Sequence, residues 1–310
     1  MTAAQIRRCP IPQWAFIFGL LVLELAGWAW LTRSLVARGT LTDLQGGLLF
    51  LVLPFVARLV LALASYTLSR VKGVTLRPGQ RLSLVGWCRY FLREYVFLCA
   101  QSLIYLPFRV FFHTATERGL GPTHGDVIVL QHGYGHNGAA WFGTARALEK
   151  MGYRVFTLDQ PMFESIDAMG NRLAARIESV RQTTSEKQIT LIAHSMGGLI
   201  ARAYLRSHGG SRVKKLITLG TPHHGTIHAY LASGANGRQM RPGNPWLTEL
   251  AKAPVTVPFV SIYSAHDTII SPQDSSRMPD ANNVELTGIG HVSMPSGKLT
   301  RTQLMAALTE

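Results

Sequence analysis

The stretch "LIAHSMGGLI", residues 191–200, sets a serine among small residues where a β-like apolar run gives way to a helical one. A serine hydroxyl is a weak nucleophile unless an imidazole removes its proton and a carboxylate fixes that imidazole's tautomer. Both partners follow downstream. Asp267 comes just after the run "FVSIYSA", and His291 comes just after "NVELTG". Serine, acid and base in this order, each at the end of a β run, are the parts needed for attack on a carbonyl through a covalent intermediate. The oxyanion formed in that attack needs preorganised N–H donors. Met196, directly after the serine, supplies one; Tyr134, in the loop "HGYGHN" after "DVIVLQ", supplies the other.

Competing residues fit less well. Asp159 precedes the serine and breaks the order, Asp274 lies deeper in a loop, and His266 sits beside the acid, where it cannot also be the base which that acid holds. The pairs His132/His136 and His224/His228 are spaced four apart, but neither has the helix and nearby glutamate of a metal-hydrolase site. They read as structural residues. No metal and no organic cofactor is expected, and no glycine-rich phosphate motif follows any strand.

The elements that must position these residues alternate. Strands are expected at 126–131, 153–159, 188–193, 213–220, 259–265 and 283–288, with helices at 138–150, 172–183, 196–206 and after Pro295. Continuous apolar strands alternating with helices imply a mainly parallel sheet covered on both faces, with chemistry at the carboxyl ends of its strands. The Gly/Pro-rich region 223–258 reads as an irregular cap over that edge. At position 193 an alanine stands where G-x-S-x-G has its first glycine. One methyl is tolerable where strand and helix cross closely; a branched side chain would not be.

The front of the chain has another character. The formal charge of +14 is uneven, with 13 Lys/Arg against 4 Asp/Glu in residues 1–123 and 18 against 13 afterwards. No nucleic-acid-binding pattern accompanies it. The basic residues instead flank apolar runs, as they do around membrane segments. Residues 14–31 are apolar except for Glu24, with tryptophans near both ends; residues 44–68 form a second run containing Pro54 and Arg58. Both are expected to span a membrane. An arginine at mid-bilayer costs roughly 2.5–3.5 kcal/mol, which the surrounding Leu, Val and Phe residues offset, so Arg58 is expected to snorkel or to face a partner helix. Residues 90–112, interrupted by Arg93 and Glu94, are too short for a comfortable span and read as an interfacial or docking helix. The basic residues Arg7, Arg8, Arg70, Lys72, Arg77, Arg81 and Arg89 then place the N-terminus and the second part of the chain on the cytoplasmic side. Were 90–112 a span, the second part would lie outside.

In order, "QHGYG", "AHSMGG", "LGTPHHGT", "GRQMRPGNPWLTEL", "DTIISP" and "GIGHVSM" resemble the bacterial triacylglycerol lipase and esterase group of the α/β-hydrolase superfamily. The resemblance covers roughly residues 124–310. It implies an α/β-hydrolase domain, here bounded at 113–310, and a carboxylester hydrolase using Ser195, Asp267, His291, Tyr134 and Met196 without a cofactor; the membrane-anchoring helical region over 1–112 is read from the apolar runs alone. Secreted members often carry a disulfide and a calcium site, whereas here Cys9, Cys88 and Cys99 all lie in the front part and no calcium-loop spacing is present. The expected substrate is therefore a lipid or other acyl ester at the inner membrane of a bacterium. The same three residues would equally serve acyl transfer or polyester cleavage, and the apolar front would also suit a membrane scaffold with an inert domain. Nothing in the sequence points to a protein partner.

Overall fold

The computed structural model describes residues 12–309, so Arg7, Arg8 and Cys9 lie outside the described residues. Two long helices come first: α1 (Gln13–Ala37) and α2 (Asp43–Val71). At about 1.5 Å per residue each exceeds the roughly 30 Å of a bilayer's hydrocarbon core. Both are apolar enough to cross one, and only 11% of the most apolar window of each is buried within the molecule. A capping box between Thr42 and Gln45 starts α2.

The two charges that interrupt these apolar helices meet. Arg58 donates to the Glu24 carboxylate across the α1–α2 contact, and its Nε donates to Ser102 Oγ at 3.1 Å. Of the two expectations for Arg58, facing partner helices is the one realised.

The third apolar stretch forms a helix docked on the second part of the chain. It begins earlier than expected, at Leu84, because Ser83 Oγ accepts from Gly86 N at 3.2 Å and caps it. This helix, α3 (Leu84–Ala100), opens into a wider turn over Gln101–Tyr105. Beyond the turn, Arg109 is buried and satisfied by the second part of the chain, with Nη2 donating to Thr157 Oγ1 at 2.8 Å and Nε 3.3 Å from Asp159.

The second part is a six-stranded parallel sheet in the order β2-β1-β3-β4-β5-β6. Its strands are β1 (Val127–Gln131), β2 (Arg154–Leu158), β3 (Ile189–His194), β4 (Val213–Leu219), β5 (Phe259–Ser264) and β6 (Asn282–Leu286). The four central strands consist largely of buried residues, as continuous β-branched and leucine runs require when both faces are covered. Helices α5 (Ile166–Thr184) and α6 (Met196–His208) cover one face through Leu173, Ile177, Leu199 and Ile200. Helices α4 (Phe142–Lys150) and α9 (Lys298–Thr309) cover the other through Leu148 and Leu304.

Two expectations change. Helix α5 starts six residues before Arg172, because Ser165 Oγ caps it at Ala168 N (3.2 Å) and Ile166 and Met169 continue its buried stripe. The cap region is not irregular throughout: it holds α7 (Gly234–Gln239) and α8 (Pro245–Ala251). Asn244 caps α8 at Trp246 N (2.8 Å), and Pro245 supplies the preset first turn. Both helices are too short to show an amphipathic period.

This ion pair yields a check. Arg58→Ala leaves the part-buried Glu24 without its counter-charge and is expected to destabilise the folded chain by about 1–3 kcal/mol. The double variant Glu24→Leu/Arg58→Leu should recover most of that loss. Thermal unfolding in detergent measures both, and a double variant no better than Arg58→Ala would contradict the pairing.

Candidate active site

Strand β3 ends at His194, and α6 begins at Met196. Ser195 is the whole connection. Its backbone has φ 57° and ψ −131°, and among the described residues only Ser185 shares a positive φ without being glycine. Such a conformation is strained and persists only where the surroundings fix it. Here Ser195 N donates to Leu219 O at 2.9 Å, and Gly198 N donates back to Ser195 O at 3.0 Å.

The close crossing expected behind the serine is present. A Cβ at Gly197 would stand 2.6 Å from Gln131 O and 2.8 Å from His132 O, so only glycine fits there. Ala193, by contrast, is fully buried in the apolar core and its methyl is accommodated. Gly133 is equally constrained, since its Cβ would lie 2.6 Å from Ser195 Cβ and 3.1 Å from Ser195 Oγ. That glycine lets the loop after β1 pass directly over the serine and brings Tyr134 to the site. Met196 contributes the first N–H of α6, which has no acceptor within its own helix.

Asp267 and His291 meet. His291 Nδ1 donates to Asp267 Oδ2 at 2.9 Å, and both residues are buried. The second carboxylate oxygen, Oδ1, accepts from Ile269 N at 2.8 Å and Ile270 N at 2.7 Å. These bonds fix the carboxylate so that one oxygen faces the imidazole. No direct hydrogen bond joins Ser195 Oγ to His291. The residue before the serine does touch that imidazole: the His194 and His291 rings are 4.6 Å apart, and His194 Nε2 donates to His291 O at 3.2 Å.

The rival residues are engaged elsewhere. Asp159 accepts from Gly138 N at 2.6 Å and pairs with Arg109. His266 Nδ1 accepts from Gly288 N at 3.1 Å. His132 Nε2 accepts from Gln160 N at 3.0 Å, and its Nδ1 lies 2.8 Å from Gly133 O, so it braces the loop above the serine. Among the described residues no cluster of His, Cys, Asp and Glu could hold a metal ion.

Sequence reasoning missed several supports. Gly220, at φ 52°, would press a Cβ to 2.9 Å from Asp267 Oδ2. The Tyr134 hydroxyl donates to Ser233 O at 3.1 Å and accepts from Ser233 N at 3.0 Å, tying the loop after β1 to the 223–258 region. Of these, only the glycine after β4 left a signal in the sequence, the turn "LGTP".

Residues 126–241 match the sequence profile of the alpha/beta hydrolase fold family. The second part of the chain has the α/β-hydrolase fold. The mature Bacillus licheniformis lipase BlEst2 aligns with 61% of this chain and 91% of its own at a TM-score of 0.54 and 21% identity, a likeness of fold. Sequence similarity lies within the lipase and esterase group. A triacylglycerol lipase of Pseudarthrobacter phenanthrenivorans is 33% identical over 92 residues, 29% of this chain and 28% of that protein. A pimeloyl-[acyl-carrier protein] methyl ester esterase of Vibrio campbellii is 36% identical over 96 residues, 31% of this chain and 37% of that protein. The matched segments thus span about a third of these curated relatives.

Burial also sets the pH response of the hydrolase domain. It lowers the pKa of His136 and of His266 to about 4, and those of His132, His194 and His223 below the ordinary range. The unfolded histidines titrate near about 6.5 and therefore bind protons that the folded ones refuse as the pH falls. Their contribution is present above about pH 6.5 and is lost below it. The melting temperature is expected to drop steeply between pH 6.5 and 4; a flat profile over that window would contradict the burial assignment.

Proposed function

We propose that this protein is a membrane-anchored serine hydrolase that cleaves carboxylic esters, with lipid acyl esters as its substrate class. The observation that carries the reading is the Asp267–His291 bond of 2.9 Å at the same sheet edge as the strained Ser195 turn. The similarity to lipases and esterases supports it further.

In this reading His291 Nε2 takes the proton of Ser195 Oγ as that oxygen attacks the ester carbonyl. The Tyr134 and Met196 N–H groups stabilise the oxyanion. The intermediate collapses, the alkoxide leaves with the proton from His291, and the acyl group stays on Ser195. Water, deprotonated by His291, then attacks the acyl-enzyme and releases the acid. Asp267 holds the imidazole tautomer throughout and stabilises the imidazolium.

Lipid is favoured by the surroundings of the hydrolase domain. Phe16 and Phe18 of α1 touch Phe163 and Phe108, with ring centroids 5.9 and 5.6 Å apart. Within the cap region Leu231 is 77% exposed, and beyond α3 Phe111 is 72% exposed. Apolar side chains of this size suit contact with a bilayer surface, and the basic flanks of the helices suit its anionic cytoplasmic leaflet.

Two measurements test the proposal. Ser195→Ala should lower hydrolysis of nitrophenyl acyl esters by at least about 10³-fold and abolish fluorophosphonate labelling. Full activity in that variant would discard the assignment. The full chain should remain in the membrane pellet after alkaline carbonate washing, and release into the wash would remove the anchoring.

A further inference from the structure

Helix α3 precedes the hydrolase domain, yet two of its side chains reach the loops that carry the acid and the base. Tyr90 and Glu94 lie one turn apart and are 3% and 6% exposed. The Tyr90 hydroxyl donates to the carbonyl of His266, the residue before Asp267, at 2.7 Å. Glu94 Oε2 accepts from Val292 N at 3.1 Å and Ser293 N at 3.4 Å, and Oε1 accepts the Ser293 hydroxyl. Those are the two residues directly after His291.

The remaining contacts close the set. Arg93 donates to Gly288 O, and Gly288 N donates to His266 Nδ1 at 3.1 Å, so the acid loop, the base loop and α3 are joined in one network. Gly290, beside His291, is shaped around Glu94: a Cβ there would stand 2.2 Å from Glu94 Cδ. A second grip comes from the end of α2, where Val74 N donates to Gln273 Oε1 at 2.9 Å while Gln273 Nε2 donates to Asp267 O at 3.0 Å.

A carboxylate on an apolar helix is costly to bury unless its oxygens are fully used. Burial pushes the Glu94 carboxyl above the usual range, and the bonds from Ser293 act against that rise. Packing alone would be served by leucine at this position. What a carboxylate adds is two acceptor oxygens aimed at the backbone and hydroxyl immediately after the base.

We propose that Tyr90 and Glu94 are positioning residues for the reaction: α3 sets the acid and base loops at the separation where His291 Nδ1 meets Asp267 Oδ2. The N-terminal region is then a working part of the active site as well as an anchor. This inference rests on the catalytic reading of Ser195, Asp267 and His291.

The test compares wild type with Tyr90→Phe, Glu94→Gln and Glu94→Ala as full chains in detergent micelles, each on its folded, monodisperse fraction with thermal unfolding recorded. Glu94→Ala should lower kcat by about 10- to 100-fold and leave KM within about two-fold, since a displaced base impairs turnover and not binding. Tyr90→Phe, which removes one hydroxyl, should lower kcat by about 3- to 10-fold with KM likewise held. Glu94→Gln keeps an oxygen for the two N–H groups and should return kcat to within about five-fold of wild type. An unchanged kcat in Glu94→Ala and Tyr90→Phe, with only the melting temperature lowered, would overturn the proposal. If Glu94→Ala does not fold, an unchanged kcat in Tyr90→Phe overturns it alone. Fluorophosphonate labelling of wild type separates the two readings: an unlabelled Ser195 removes the catalytic assignment, whereas a labelled one with unaffected variants removes only the positioning role.

Discussion

The turn at Ser195 reverses the chain from strand to helix in a single residue, and the rest of the site is arranged around that constraint. A non-glycine residue at φ 57° is sustained because β4 holds its N–H and the first turn of α6 holds its carbonyl. The crossing is so close that the loop after β1 touches both ends of the turn. Gly133 lies against the serine side chain and Gly197 against the carbonyls of Gln131 and His132.

Around this turn the polar groups are buried and fixed by hydrogen bonds. His132 and Gln160 brace the loop above the serine, Ile269 and Ile270 orient the Asp267 carboxylate, and His194 secures the carbonyl of His291. Burial lowers the pKa of His132 and His194, so these rings serve here as directional donors and acceptors.

The N-terminal helices follow a different logic. Helices α1 and α2 are largely apolar, and the two charges in the middle of their apolar runs, Glu24 and Arg58, pair with each other between α1 and α2. Helix α3 differs in that its polar residues point into the hydrolase domain. Arg93 and Glu94, which break the apolar run, are the residues that bond the 288–293 segment. A charge that looks like an interruption in one dimension becomes a specific contact in three.

The sequence by itself determined the strand and helix alternation, the parallel sheet, the serine turn and the pairing of Asp267 with His291. These follow from local periodicity and from chain order at strand ends, both of which are written along one dimension. It also determined that alanine at position 193 does not break the turn, because a single methyl fits a buried, apolar crossing. Helix starts at Ser83 and Ser165 and the short helices of the cap were legible only in part, since one side-chain cap or two turns of helix give little periodic signal. Only the tertiary structure decided what Arg58, Tyr90, Glu94 and Gln273 do. Their partners Glu24, His266, Ser293 and Val74 lie 34 to 199 residues away in the chain, and burial of a charge or hydroxyl is a property of the packed neighbours, which no local pattern records.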